Sequence, residues 1–111
     1  MNITVTPTPI FTEIKLAGEL DSETAPLLEE KVQPLIVDGC RLVLNMSEVS
    51  FMSSAGLRIL FSLRRQLPPR AKLVLLGLSA HIRDTIIVTG FGEFFMIASN
   101  PTEAAAFLNR P

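Results

Sequence analysis

A chain of 111 residues has room for one domain around one core, so the expected unit is residues 1–111. It is 48% hydrophobic and 19% charged, too apolar for a disordered segment, and ten basic against eleven acidic residues leave a formal net charge of -1. That balance lacks the basic footprint that nucleic acid or an anionic membrane demands, and no window approaches the roughly 20 apolar residues of a membrane span, so neither is expected as a partner.

The start, MNITVTPTPIF, has neither the basic region nor the apolar run of a secretion signal. Cys40 is the sole cysteine and can form no internal disulfide, which together with that start points to the reducing cytoplasm. Ile3 and Val5 alternate with Asn2, Thr4 and Thr6, and Ile10, Ile14 and Leu16 alternate with Phe11, Glu13 and Lys15. These are two half-exposed strands, joined by a turn at Pro7-Thr8-Pro9 and paired antiparallel at a sheet edge, with Gly18 ending the second. Asp21, Ser22 and Thr24 are cap types ahead of an amphipathic helix carrying Leu28, Val32, Leu35 and Ile36; Pro26 suits its first turn and Pro34 predicts a loosened end.

Leu42 to Leu44 and Leu73 to Leu76 are continuously apolar, as strands buried on both faces of a parallel sheet are. Between them the pattern predicts a helix from about Ser54 to Leu67, with Leu57, Leu60, Phe61 and Leu67 on one face, Arg58, Arg64 and Arg65 largely elsewhere, and Pro68-Pro69 as its stop. Ser79 caps a short helix with Ile82 and Ile86, Gly90-Phe91-Gly92 ends it, Phe94 to Ala98 form a strand, and Asn100-Pro101 announces a last helix. The order ββαβαβαβα specifies an α/β fold with a mostly parallel, mixed five-stranded sheet and four helices, its crossovers expected to be right-handed.

For chemistry the chain offers one histidine, His81, and one cysteine, neither with a credible partner, and no GxSxG, GxxxxGK[ST] or CxxC. His81 reads as a solvated residue in a helix's first turn. No catalytic residue, metal site or cofactor is expected, and the chain is read as a non-enzyme. The segment from Asn45 to Leu57 stands out instead, because it joins a buried strand to a helix at the carboxyl end of the sheet, where doubly wound proteins keep their sites. Ser53 is placed as N-cap, leaving Ser54 at the first helical position with an exposed hydroxyl beside free N–H groups. The alternative is that both serines only cap. Phe51 and Met52 exceed what a cap needs, and Gly56 in the first turn, costing about 1 kcal/mol against alanine, suggests a close approach to the backbone.

Gly18-Glu19-Leu20-Asp21, Leu42 to Met46 and above all Phe51 to Leu60 resemble the STAS domains, named for sulfate transporters and anti-sigma factor antagonists, over nearly the whole chain. The short length without a membrane segment is similar to the free-standing antagonist branch. In that branch an aspartate and a phosphorylatable serine precede Ser or Thr, Gly and Leu; here the phosphoacceptor falls on Ser54, Ser53 replaces the aspartate and Ala55 the second hydroxyl residue. The resemblance implies a cytoplasmic regulator, a monomer or weak dimer, that binds an anti-sigma factor which is also an ATP-dependent serine kinase, and so releases a sigma factor until phosphorylation undoes the complex. The partner surface it implies comprises Asp21, Phe51, Met52, Ser53, Ser54, Ala55, Gly56, Leu57 and Arg58. The other role the family suggests is a non-phosphorylated adaptor in a transporter or lipid-trafficking complex.

Overall fold

The structure, a computed structural model, describes residues 1–90 and 92–110, so Phe91 of the expected Gly90-Phe91-Gly92 stop and Pro111 at the end of the expected domain lie outside the described residues. Five strands, β1 (Asn2–Pro7), β2 (Thr12–Leu20), β3 (Arg41–Met52), β4 (Lys72–Leu76) and β5 (Met96–Ala98), form one sheet in the order β1-β2-β3-β4-β5. Only β1 runs antiparallel; β2 to β5 are parallel. The helices are α1 (Ala25–Val32), α2 (Ser54–Gln66), α3 (Ala80–Val88) and α4 (Pro101–Leu108).

Both faces of the central strands are covered, which is why they carry no alternation. Leu42, Leu44, Leu73 and Leu75 pack with Leu28 and Val32 of α1, Ile59, Leu60 and Leu63 of α2, and Ile82 and Ile86 of α3. Val43, Val74 and Leu76 point the other way, against Ala104 and Leu108 of α4. Burying each such leucine or isoleucine contributes about 1.5–3 kcal/mol. The strand order follows the chain order without reversal, so the crevice expected at a topological switch does not exist. The carboxyl ends of β2 and β3 instead form an open end of the sheet from which α1 and α2 set out.

Four expectations are corrected. The first hairpin closes between Thr8 and Phe11: the Thr8 hydroxyl donates to the Phe11 carbonyl at 2.6 Å and accepts the Phe11 N–H at 3.0 Å. Ile10 is therefore a turn residue, 52% exposed, and β2 begins only at Thr12. Gly18 does not end β2, which runs on to Leu20. Its φ of +118° accompanies the register shift between Gly18 and Glu19, where β3 accommodates an extra residue. Residues 47–52, expected to connect a strand to a helix, are the second half of β3, pairing Ala17 with Glu48, Gly18 with Val49, Glu19 with Phe51 and Leu20 with Met52. Two register shifts leave Met46, Val49 and Met52 buried at every third position, and that destroys the alternation a strand reading needs. Phe94 belongs to a single 3₁₀ turn, Gly92–Phe94, where its ring packs on Phe61 and Phe95, so β5 starts at Met96.

The loosened end of α1 and the starts of α3 and α4 follow the sequence. α1 passes into a 3₁₀ turn, Gln33–Leu35, at Pro34. The Asn100 Oδ1 accepts the Glu103 N–H at 2.8 Å to start α4, and the Ser79 Oγ accepts the Ile82 N–H at 3.2 Å to start α3. The buried stripe of α2 is rotated from the one expected: Gly56, Ile59, Leu60 and Leu63 are buried, whereas Leu57, Phe61 and Leu67 are half-buried at its flank. Cys40 is a free, half-buried thiol packed at the edge of the core.

Candidate functional site at the start of the second helix

Leu20 is the last residue of β2 and Met52 the last of β3, and they are register partners. The residues that follow them, Asp21 and Ser53, therefore leave the sheet side by side. The Leu20 carbonyl accepts the Ser53 N–H at 2.9 Å, which ties the start of α2 to the start of the Asp21 loop.

Ser53 is extended at φ -87°, ψ 177°, and its Oγ accepts the Gly56 N–H at 3.3 Å, so it is the N-cap. Ser54 then stands at the first helical position with an exposed side chain. The four serines of the segment differ in what their hydroxyls do. Ser47 donates to the Asn45 Oδ1 at 2.8 Å, Ser50 to the Gly18 carbonyl at 3.5 Å, and Ser53 caps. Among the described residues, the Ser54 hydroxyl alone of the four has no hydrogen-bond partner.

Gly56 proves to be a structural necessity. A β-carbon there would run into the Leu20 carbonyl oxygen and stand 2.9 Å from Met52 Cγ and 3.0 Å from Leu20 Cγ. The close approach inferred from its presence is made by the chain itself. Gly56 and Met52 are buried, so they hold the site from below, while Phe51 is 46% exposed and Ser54 and Arg58 are exposed; Ser53, Ala55 and Leu57 lie between, half-buried.

Asp21 is half-buried and closes a local turn rather than capping α1 directly. Its Oδ1 accepts the N–H groups of Glu23 at 2.9 Å and Thr24 at 3.1 Å, and its own N–H donates to the Thr24 Oγ1 at 2.9 Å. The Thr24 hydroxyl donates to the Glu19 carbonyl at 2.7 Å. The N–H groups of Thr24 and Glu23 hold the Asp21 carboxyl below its ordinary pKa, because they stabilise the charged form. The Leu20 carbonyl is the site component that sequence reading missed, whereas Thr24, one of the three expected cap types, is the N-cap of α1. A carbonyl carries no side-chain signal.

Among the described residues no three of His, Cys, Asp and Glu gather as metal ligands, and no helix is long and apolar enough to cross a membrane. The available chemistry is an exposed hydroxyl at a helix N-terminus, with an exposed phenylalanine on one side and a rigid acidic turn on the other.

The family model for the STAS domain matches residues 2–106. The chain belongs to the STAS family. It is 35% identical over 99 residues to a Staphylococcus aureus protein named anti-sigma-B factor antagonist, an alignment that spans 87% of this chain and 92% of that one. A crystal structure of an anti-sigma factor antagonist from Mycobacterium paratuberculosis superposes with a TM-score of 0.88 at 24% identity, covering 98% of this chain and 94% of that one. The Bacillus cell fate determinant SpoIIAA in its phosphorylated form superposes with a TM-score of 0.72 at 24% identity, covering 97% and 100%. Within this STAS fold, the segment singled out in the sequence occupies the end of β3 and the first turn of α2.

Proposed function

We propose that this chain is an anti-sigma factor antagonist that docks an anti-sigma factor with serine kinase activity through the open end formed by the Asp21 turn, Phe51 and the first turns of α2, and that Ser54 is the phosphoacceptor. The observation that carries this reading is the division of labour between the serines: Ser53 spends its oxygen on the Gly56 N–H, while Ser54 keeps an exposed, uncommitted hydroxyl one residue later. A nucleophile for phosphoryl transfer has to reach a γ-phosphate in line, and a hydroxyl that caps or is bonded inside the sheet cannot do so.

The same position suits a reversible switch. Ser54 lies where the macrodipole and the free N–H groups favour negative charge, so a phosphate of about -1.5 to -2 charge is tolerated by the fold. A partner docked over the hydroxyl would have to desolvate that charge, and the complex would be lost. The role follows the name of the relative at 35% identity. The test is phosphosite mapping after incubation with ATP and the anti-sigma kinases of the source organism. A single phosphate on Ser54 is expected; one on Ser47, Ser50 or Ser53 overturns the assignment, and none at all overturns the phosphorylation switch.

A further inference from the structure

Beyond the first turn, α2 carries three arginines, Arg58, Arg64 and Arg65, and no acidic residue, in a chain whose net charge is -1. At 3.6 residues per turn, positions 54, 58, 61 and 65 fall within a narrow stripe on one side of a helix, so Ser54, Arg58, Phe61 and Arg65 form a single line. Along the upper part of that line runs an open cleft of about 500 Å³, lined by Arg58, Phe61, Arg65 and Phe94. Its apolar floor is fixed. The rings of Phe61 and Phe94 stand 5.6 Å apart, and both pack on the buried Phe95, at 5.2 and 5.3 Å. The Arg64 guanidinium lies over the Phe94 ring, 5.2 Å from its centroid. Arg58 and Arg65 are exposed, and neither has a salt bridge or a hydrogen bond among the described residues.

An aromatic floor between two exposed guanidinium groups, which share a neighbouring cleft with the Glu29 carboxylate of α1 but form no salt bridge with it, is complementary to one kind of surface: carboxylates flanking an apolar side chain. The geometry points to an acidic, apolar-anchored segment of the protein partner that lies along α2 from Ser54 to Arg65, its apolar residue seated on Phe61 and Phe94 and its carboxylates on Arg58 and Arg65. This inference rests on the proposed function and gives the partner's docking segment its chemistry. It extends the footprint beyond Arg58 by about 10 Å, the rise of the seven helical residues to Arg65. It also brings the switch into the same line, since Arg58 lies one turn above Ser54 and a phosphate there would draw its guanidinium away from the partner.

Arg65 decides the matter, because it lies three turns from Ser54 and outside the surface assigned to the switch. The measurement is the association rate of the wild type, Arg65→Glu and Arg41→Glu with each purified anti-sigma kinase of the source organism, at two salt concentrations. Arg41 is exposed at the opposite end of β3 and controls for net charge. With a kinase that binds the wild type, Arg65→Glu is expected to slow association about tenfold or more at low salt and to flatten its salt dependence, with Arg41→Glu close to wild type. Arg65→Glu matching Arg41→Glu, or binding faster than wild type, overturns the acidic-segment inference and leaves the proposed function standing. A wild type that binds none of the kinases overturns both. Thermal melts of the three proteins establish that all are folded.

Discussion

The Leu20 carbonyl oxygen and Gly56 are packed so closely that no side chain larger than hydrogen fits between the end of β2 and the first turn of α2. Because the same carbonyl accepts the Ser53 N–H at 2.9 Å, one backbone group sets both the height and the direction at which α2 leaves the sheet, and thereby where Ser54 points.

Gly56→Ala should consequently destabilise the protein even though alanine is the better helix former by about 1 kcal/mol. Forcing a methyl against Leu20 and Met52 costs about 1–3 kcal/mol as overpacking, and the helix start must shift to relieve it. Denaturant unfolding measures this. A stability equal to or above wild type would show that the Leu20 contact does not constrain the helix.

Ser53 and Ser54 should separate cleanly. Ser53→Ala removes the cap that holds the Gly56 N–H and should cost about 1 kcal/mol of stability. Ser54→Ala removes a hydroxyl that has no partner among the described residues and should leave stability within about 0.5 kcal/mol of wild type. Equal losses in thermal or chemical unfolding would mean that Ser54 also has a structural role.

The Asp21 carboxyl predicts a dependence on pH. Its folded-state pKa is depressed by the N–H groups of Thr24 and Glu23, so the stability it contributes is fully present above its unfolded pKa of about 3.9 and is lost as pH falls through the lower folded value. Asp21→Asn should be less stable than wild type at pH 7, and the difference should shrink as both proteins are acidified below pH 4. A difference that does not change with pH would mean that the lost interaction is not with the charged carboxylate.

Much of this arrangement was legible in the sequence. The two continuous apolar runs identified the central strands, the Ser53 and Asn100 caps the starts of α2 and α4, and the Phe51 to Leu60 run the junction of β3 and α2 at which the proposed site lies. What was not legible has a common cause in the backbone. The extra residues of β3 turn its burial from alternating to every third position, so Ser47 to Met52 read as a loop. Gly18 marks the compensating irregularity in β2, and glycine there reads as a strand end. Gly56 pointed to a close approach but not to its source, since the group that approaches is a carbonyl and could belong to any residue.

The central claim is that a charge on Ser54 governs docking, and titrating the anti-sigma kinase with wild type, Ser54→Ala and Ser54→Asp in parallel tests it most directly. Aspartate in the first helical turn suits the macrodipole, so Ser54→Asp should differ in stability from wild type by no more than about 1 kcal/mol. Its binding should nevertheless weaken by about 2–5 kcal/mol, because the carboxylate is buried without a partner in the complex, while Ser54→Ala should bind nearly as wild type does. Ser54→Asp binding as tightly as wild type would place Ser54 outside the interface and contradict the switch.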